Sequence, residues 1–304
     1  MDPLEDVLTL LETRSHLSVS LAAGGRWAVR FDAPDGVKFN AVRRGSCLLE
    51  VDGVDEPIEL AEGDCYLLAR QRSFTLRSDP DAVPVAAAPL FARAEGGIAR
   101  AGRGDDVFLV GGRFSFRAGA RELLLDRLPP VIRVPAGTRH AETVQWALAA
   151  IDQELTHRQM ASTLVAEHLA VVMLVHVLRL HLAHEPHGVS GWLAGLGDPV
   201  VATALASLHN DPARAWTVAG LARAAAVSRS TLAARFKATV GQGPLEYLTR
   251  WRIELAARQL REGGATLTSI AHSVGYGSES ALSVAFKRVR GRSPGDYRKH
   301  ALMP

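Results

Sequence analysis

SRSTLAARFKATVGQGPLEYL, residues 228–248, and SESALSVAFKRVRGRSPGDYR, residues 278–298, are two versions of one pattern. Ser228 matches Ser278, Phe236-Lys237 matches Phe286-Lys287, and Gly241, Pro244 and Tyr247 match Gly291, Pro294 and Tyr297, each pair 50 positions apart. Agreement at one fixed offset is not an accident of composition. Whatever unit the first copy builds, the second builds again.

The periodicity says what that unit is. Thr217 is placed to cap a helix with Val218, Leu221 and Ala222 on one side, and after a short break Ser228 is placed to cap the next. There Leu232, Phe236 and Val240 recur every four residues and face a core, which turns Ser230, Ala233, Ala234 and Lys237 outward. In the second copy Leu267, Ile270, Ala271 and Val274 line the first helix, Gly275-Tyr276-Gly277 make the turn, and Leu282, Phe286 and Val289 face inward. Ser280, Ser283, Val284 and Lys287 then face outward. Between the copies, Pro244 to Gly263 reads as one helix, whose Leu248, Ile253, Leu255, Ala256 and Leu260 would tie the units together. A helix, a tight turn and a second helix with a small-residue outer face make a helix-turn-helix, able to lay its second helix in a major groove. The bland alternative is two packed helical hairpins, although two units fall short of the roughly three that a solenoid needs.

Charge favours the first reading. Residues 1–200 hold 20 Lys/Arg against 26 Asp/Glu, whereas residues 201–304 hold 15 against 6. A basic third on an acidic two-thirds fits a polyanion-binding module carried by something else. On these residues the stretch TVAGLARAAAVSRSTLAARFKATVGQGPLEYLTRWRIELAARQL, followed by IAHSVGYGSESALSVAFKRVRGRSPGDYR, resembles the DNA-binding domain of AraC-family transcriptional regulators over about one hundred residues. The resemblance implies two second helices in successive major grooves. Ser230, Ala233, Ala234, Ser280, Ser283 and Val284 would stand at base-reading positions, and Arg229, Lys237 and Lys287 on phosphates. Ala233 and Ala234 cannot make bidentate hydrogen bonds, so methyl contacts and DNA shape would share the reading, and Glu279 places a negative charge near the phosphates.

From Trp27 to about Val134, short β-prone runs alternate with Gly, Asp and Pro turns, as in an all-β sandwich or barrel. Residues 79–105, rich in Ala, Pro and Gly, read as a long loop. FNAVRRGSCLLEVDGVDEPIELAEGDCYLLARQRSFTL is similar to the cupin-like ligand-binding region of one branch of the AraC family. Many cupins hold a metal with histidines, but Asn40 and Phe74 stand at the expected positions, and no His occurs between His16 and His140. No cofactor is expected. Cys47 and Cys65, on neighbouring predicted strands, are either a thiol pair that senses oxidants or two small buried hydrophobes.

Two amphipathic helices follow, over 142–155 and 160–184. By resemblance this is where such regulators often dimerise, and Val165, Leu169, Val172, Met173 and Leu178 suit either that or packing within the chain. The spacing of His157, His168, His176, His181 and His184 puts no compact ligand set on one face. The apolar run Leu169–Ala183 is too short to span a bilayer, the N-terminus is acidic where a secretory signal is basic, and two cysteines make no disulfide framework. A cytoplasmic location is expected.

The expected fold is a multidomain α+β chain: a cupin-like β-barrel sensor over 1–135, a helical connector over 136–190, a linker within 184–198, and an all-α tandem helix-turn-helix domain over 200–304. The leading function is a DNA-binding transcription regulator that answers a small-molecule or redox signal. Its expected partners are double-stranded DNA, RNA polymerase, an effector of unknown identity and a second copy of the chain, with no membrane. The alternatives are a cupin-type enzyme fused to a DNA-binding anchor, and an architectural DNA-binding protein without a signal. No nucleophile elbow, phosphate loop or zinc-protease pattern supports an enzyme.

Overall fold

The computed structural model describes residues 2–116, 128–137, 141–157, 159–184 and 191–301. His140 and residues 185–190 of the expected linker lie outside the described residues. The chain gathers into two compact bodies, one of residues 13–116 and 128–184, the other of residues 2–12 and 191–301. Residues 2–12, grouped by sequence with the sensor, thus pack with the helical body, and the two connector helices pack with the sheets.

In the first body the strands are β1 (Arg14–Leu17), β2 (Ser20–Gly24), β3 (Ala28–Phe31), β4 (Val37–Arg44), β5 (Cys47–Val51), β6 (Ile58–Leu60), β7 (Cys65–Leu68), β8 (Phe74–Arg77), β9 (Val85–Ala86), β10 (Ile98–Gly102), β11 (Val107–Ser115) and β12 (Val131–Val134). They form two sheets, ordered β10-β2-β11-β4-β7-β12, with β1 also on β11, and β6-β5-β8-β3-β9. The expected barrel takes the form of a sandwich, in which Leu21, Val42, Tyr66 and Leu68 of one sheet share a core with Val29, Leu49, Phe74 and Leu76 of the other. Asp64 shows how turns are fixed. Its buried carboxylate accepts from the Ala61 and Ala136 backbone N–H groups and from the Arg133 guanidinium at 2.7 Å, tying the β6–β7 turn to the end of β12.

The supposed loop over 79–105 is built. It holds β9, the short helix α2 (Ala87–Ala92) and β10. Leu90, Phe91 and Ala94 pack on the sandwich core, and the Phe91 ring meets Phe31 edge-on at 5.6 Å while Phe31 stacks on Phe74 at 4.6 Å. Local composition hid this because the apolar partners of these small residues lie on strands far away in sequence.

Helices α3 (Glu142–His157) and α4 (Ser162–His184) pack along each other, and α4 lies on β1, where the Ser15 hydroxyl donates to the Glu167 carbonyl at 2.5 Å. At 23 residues, α4 is longer than the apolar run read from sequence and is long and apolar enough to cross a membrane by length and composition. Yet Ala166, Ala170, Met173, Leu174, Val177 and Leu178 are buried along it, as in a core helix with one open face.

The second body is helical. It comprises α1 (Pro3–Leu10), α5 (Trp192–Gly195), α6 (Pro199–Asn210), α7 (Val218–Ala224), α8 (Arg229–Val240), α9 (Pro244–Glu262), α10 (Leu267–Ser273), α11 (Glu279–Arg290) and α12 (Pro294–Ala301). Asp198 caps α6 with Pro199 behind it. His209 near the end of α6 is buried between Asp6 of α1, 3.2 Å from its Nδ1, and the Tyr247 hydroxyl of α9, 2.7 Å from its Nε2. The partners set the tautomer of the neutral ring: Nδ1–H donates to the carboxylate and Nε2 accepts from the tyrosine.

Two predictions follow from this packing. A Cβ on Gly111 would stand 1.9 Å from Asn40 Oδ1 and 2.7 Å from the Phe39 carbonyl oxygen, so Gly111→Ala should destabilise the sandwich by about 1–3 kcal/mol, read as a lower Tm by circular dichroism. Burial also lowers the His209 pKa from 6.5 to about 4. The unfolded chain takes a proton there that the folded chain refuses, so this contribution is complete above pH 6.5 and is lost as pH falls toward 4. Denaturant titration should show a loss of about 2 kcal/mol between pH 7 and 5, removed in His209→Gln. Burial raises the Asp6 carboxyl, which opposes this loss where Asp6 titrates.

Candidate nucleic-acid interface

Each residue of the duplicated pattern has the same task in both copies. The Ser228 and Ser278 hydroxyls accept from the Thr231 and Ala281 backbone N–H groups and start α8 and α11. Gly241 and Gly291 end those helices in the left-handed conformation, at φ 82° and 72°, and donate to the Lys237 and Lys287 carbonyls at 2.9 and 2.8 Å. Pro244 and Pro294 open the following helices. Tyr247 and Tyr297 return to meet Phe236 and Phe286 edge-on, at 6.0 and 5.3 Å. The bases of the two units differ: Tyr247 bonds His209, and Tyr297 accepts from Arg261.

Leu232, Phe236 and Val240 are buried on α8, as are Leu282, Ala285 and Phe286 on α11. Ser230, Ala234, Lys237, Ser280, Val284 and Lys287 are exposed, and Val284 stands out at 71%. Ala233 and Ser283 are half-buried, because each directly follows a core leucine and sits at the edge of the outer face. The Ser230 and Ser280 hydroxyls lie within 2.9 and 3.1 Å of the capping serines, so both are oriented at the helix entrance. Glu279 accepts from the Thr268 hydroxyl of α10 at 3.2 Å, which gives that acid a role inside the second unit.

The basic residues divide in two. Arg235 is bound to Asp198 at 2.7 Å, Arg252 donates to the carbonyls of Pro212 and Arg214, Arg290 pairs with the buried Glu254, and Arg298 donates to the Ala265 carbonyl. These arginines hold the scaffold. Arg229, Lys237 and Lys287 are exposed and ion-paired to none of the described residues. The sequence shows both sets alike, since the groups that claim the first set lie 33 to 40 residues away.

The sandwich has no cupin metal centre at the expected place. Asn40 donates to the Tyr66 hydroxyl at 2.5 Å, and Phe74 is stacked in the core of the opposite sheet, so the donors do not fit a metal ion. Among the described residues no three His, Cys, Asp or Glu side chains form a cluster that could hold a metal. His157 and His168 each bond the carbonyl four residues back; the side chain of His184 lies outside the described residues. The cysteines correct an expectation. Cys47 is on β5 and Cys65 on β7, in different sheets. Cys47 joins the shared core, as does Tyr66, so strand alternation points Cys65 to the other side of its sheet. Burial pushes both thiols up to about 12, which keeps them protonated and weakly nucleophilic at neutral pH. Both are free and buried, as small hydrophobes are.

Two open clefts mark the first body. One of about 840 Å³ runs between Leu17–Ser20 and the α3–α4 turn, with Asp152 and Glu154 in its wall. The other, of about 510 Å³, lies between α2 and β10 and carries Arg93 and Arg100. The second was not legible in the sequence, because α2 itself was not.

Comparison with known proteins agrees with this geometry. Residues 2–183 match a family model described as Cupin, and residues 221–300 match one described as Helix-turn-helix domain. The chain is 82% identical to an AraC-like transcription regulator of Streptomyces lividans over all of both chains. It is 79% identical to an AraC-like transcription regulator of Streptomyces antibioticus over 99% of this chain and 100% of that one. Among solved structures, the DNA-binding domain of AdpA in complex with a target DNA is similar at 31% identity, over 34% of this chain and 92% of that chain, with a TM-score of 0.32. These full-length relatives are regulators and not enzymes, which sets aside the tethered cupin enzyme. With two copies of one capped, tyrosine-braced helical unit behind a cupin sandwich, the chain belongs to the AraC family of transcription regulators.

Proposed function

We propose that α8 and α11 enter successive major grooves on one face of double-stranded DNA. Ser230, Ala233 and Ala234 read one groove, Ser280, Ser283 and Val284 read the next, and Arg229, Lys237 and Lys287 hold phosphates. The observation that carries this reading is the matched pair of 12-residue helices joined by one continuous helix, α9. Helix α9 has 19 residues, about 28 Å at 1.5 Å per residue, close to the ~34 Å between equivalent grooves on one face. The small outer side chains favour close backbone approach and methyl contacts over bidentate hydrogen bonds.

The sandwich takes a small-molecule effector, and its occupancy shifts the population of DNA-binding arrangements with no chemical step. A second copy of the chain pairs through α3 and α4, where Trp146, Leu164, Val165 and Val172 are exposed large apolar side chains. Bound at a promoter in the cytoplasm, the regulator would meet RNA polymerase as partner or competitor.

The division of basic residues gives the test. Lys237→Ala and Lys287→Ala should each reduce the salt slope of DNA binding by about one, measured by fluorescence anisotropy. Arg290→Ala should instead remove the guanidinium that pairs with buried Glu254 and cost about 3–5 kcal/mol of stability in denaturant titration. Unchanged slopes in both lysine variants would remove the phosphate contacts from this reading.

A further inference from the structure

The cleft between α2 and β10 is lined by Val85, Ala86, Pro89, Leu90 and Ile98, with Arg93, Arg100 and Glu95 as its charged residues. It lies outside the sandwich interior. On β10, Ala99 and Ala101 join the shared core, so alternation turns Ile98 and Arg100 to the opposite side. At about 510 Å³ it falls within the range of small-molecule sites.

Two features select an occupant. Arg93 and Arg100 are exposed, and neither makes an ion pair with any described residue; Glu95, beside them, does not neutralise either. Elsewhere on the same body Arg26, Arg30, Arg43, Arg44, Arg77 and Arg133 are ion-paired. Arg103 and Arg113 are exposed and, like Arg93 and Arg100, ion-paired to none of the described residues, but they line neither cleft, so what marks Arg93 and Arg100 is that both stand at one apolar cleft. Arg93 follows the carbonyl end of α2 and could be there for that reason, but Arg100 is mid-strand and has no such partner. The second feature is exposed apolar surface: Val85 in the wall is 50% exposed. Unpaired cations beside uncovered apolar side chains complement a molecule with an anionic head and an apolar body.

We propose that this cleft binds a small organic monocarboxylate, its carboxylate on Arg93 and Arg100 and its apolar body on Leu90, Ile98 and Val85. The inference rests on the reading of the sandwich as the effector-binding part and names the effector's class. Occupancy would brace α2, and through Phe91 the Phe31–Phe74 stack that it touches in the core.

Calorimetric titration of the full chain with cyclohexanecarboxylate and with hexanoate should give saturable binding, about tenfold weaker for the matching carboxamides. Arg93→Gln and Arg100→Gln should each weaken the carboxylates by about tenfold and leave the amides unchanged, whereas Arg26→Gln should change neither. Three results would overturn the proposal: no saturable binding, equal affinity for acid and amide, or indifference to both arginine changes. Inorganic phosphate binding as tightly as the carboxylates would do the same, since the apolar wall would then play no part. Operator affinity with and without each carboxylate is measured separately. Binding at Arg93 and Arg100 with unchanged operator affinity upholds the site and overturns only the effector reading.

Discussion

The second helix of each duplicated unit depends on a phenylalanine on its inner face that meets the edge of a tyrosine from the next helix. Such a pair adds about 0.5–1.5 kcal/mol beyond the apolar area it buries, and it also fixes where the following helix starts. The left-handed glycine between them makes the turn tight enough for the tyrosine to come back. With stability supplied from behind, the outer face is free to carry serine, alanine and valine, which contribute little to folding and leave the backbone close to whatever lies opposite.

The same economy governs charge. The C-terminal third has a large basic excess, yet several arginines there are committed to carbonyls or to carboxylates such as Asp198 and Glu254. A guanidinium with five donors suits such bracing, and a buried pair such as Arg290–Glu254 gives geometry more than net stability. The exposed lysines, as compact charges on flexible stems, are suited to phosphates. Basic composition therefore overstates the interface, and pairing within the fold decides what remains for DNA.

The duplicated units and their connecting helix were legible in the sequence, whereas α1 was grouped with the sensor and α5 fell within the expected linker. Capping serines, four-residue apolar spacing, glycine stops and Pro at the first turn are local signals, and helices are stabilised largely by local hydrogen bonds. The sheet body was legible in its strands but not in its pairing, because strand partners are set by contacts far apart in sequence. Cys47 and Cys65 show the consequence: strands read as neighbours from the sequence went to different sheets, with β6 between them in the chain. The stretch 79–105 shows the other, since its small residues acquire a structure only where the core of β3 and β8 offers Phe31 and Phe74 to pack on.

By itself, then, the sequence determined a duplicated reading unit, the residues on its outer face and the absence of a histidine metal set from the β-rich half. Only the tertiary structure decided which arginines are spent on bracing, which side of a sheet each thiol faces, and where unpaired cations border an apolar cleft. The physical reason is range: caps and periodicity act over a few residues, whereas burial, ion pairing and cavities depend on groups that only folding brings together.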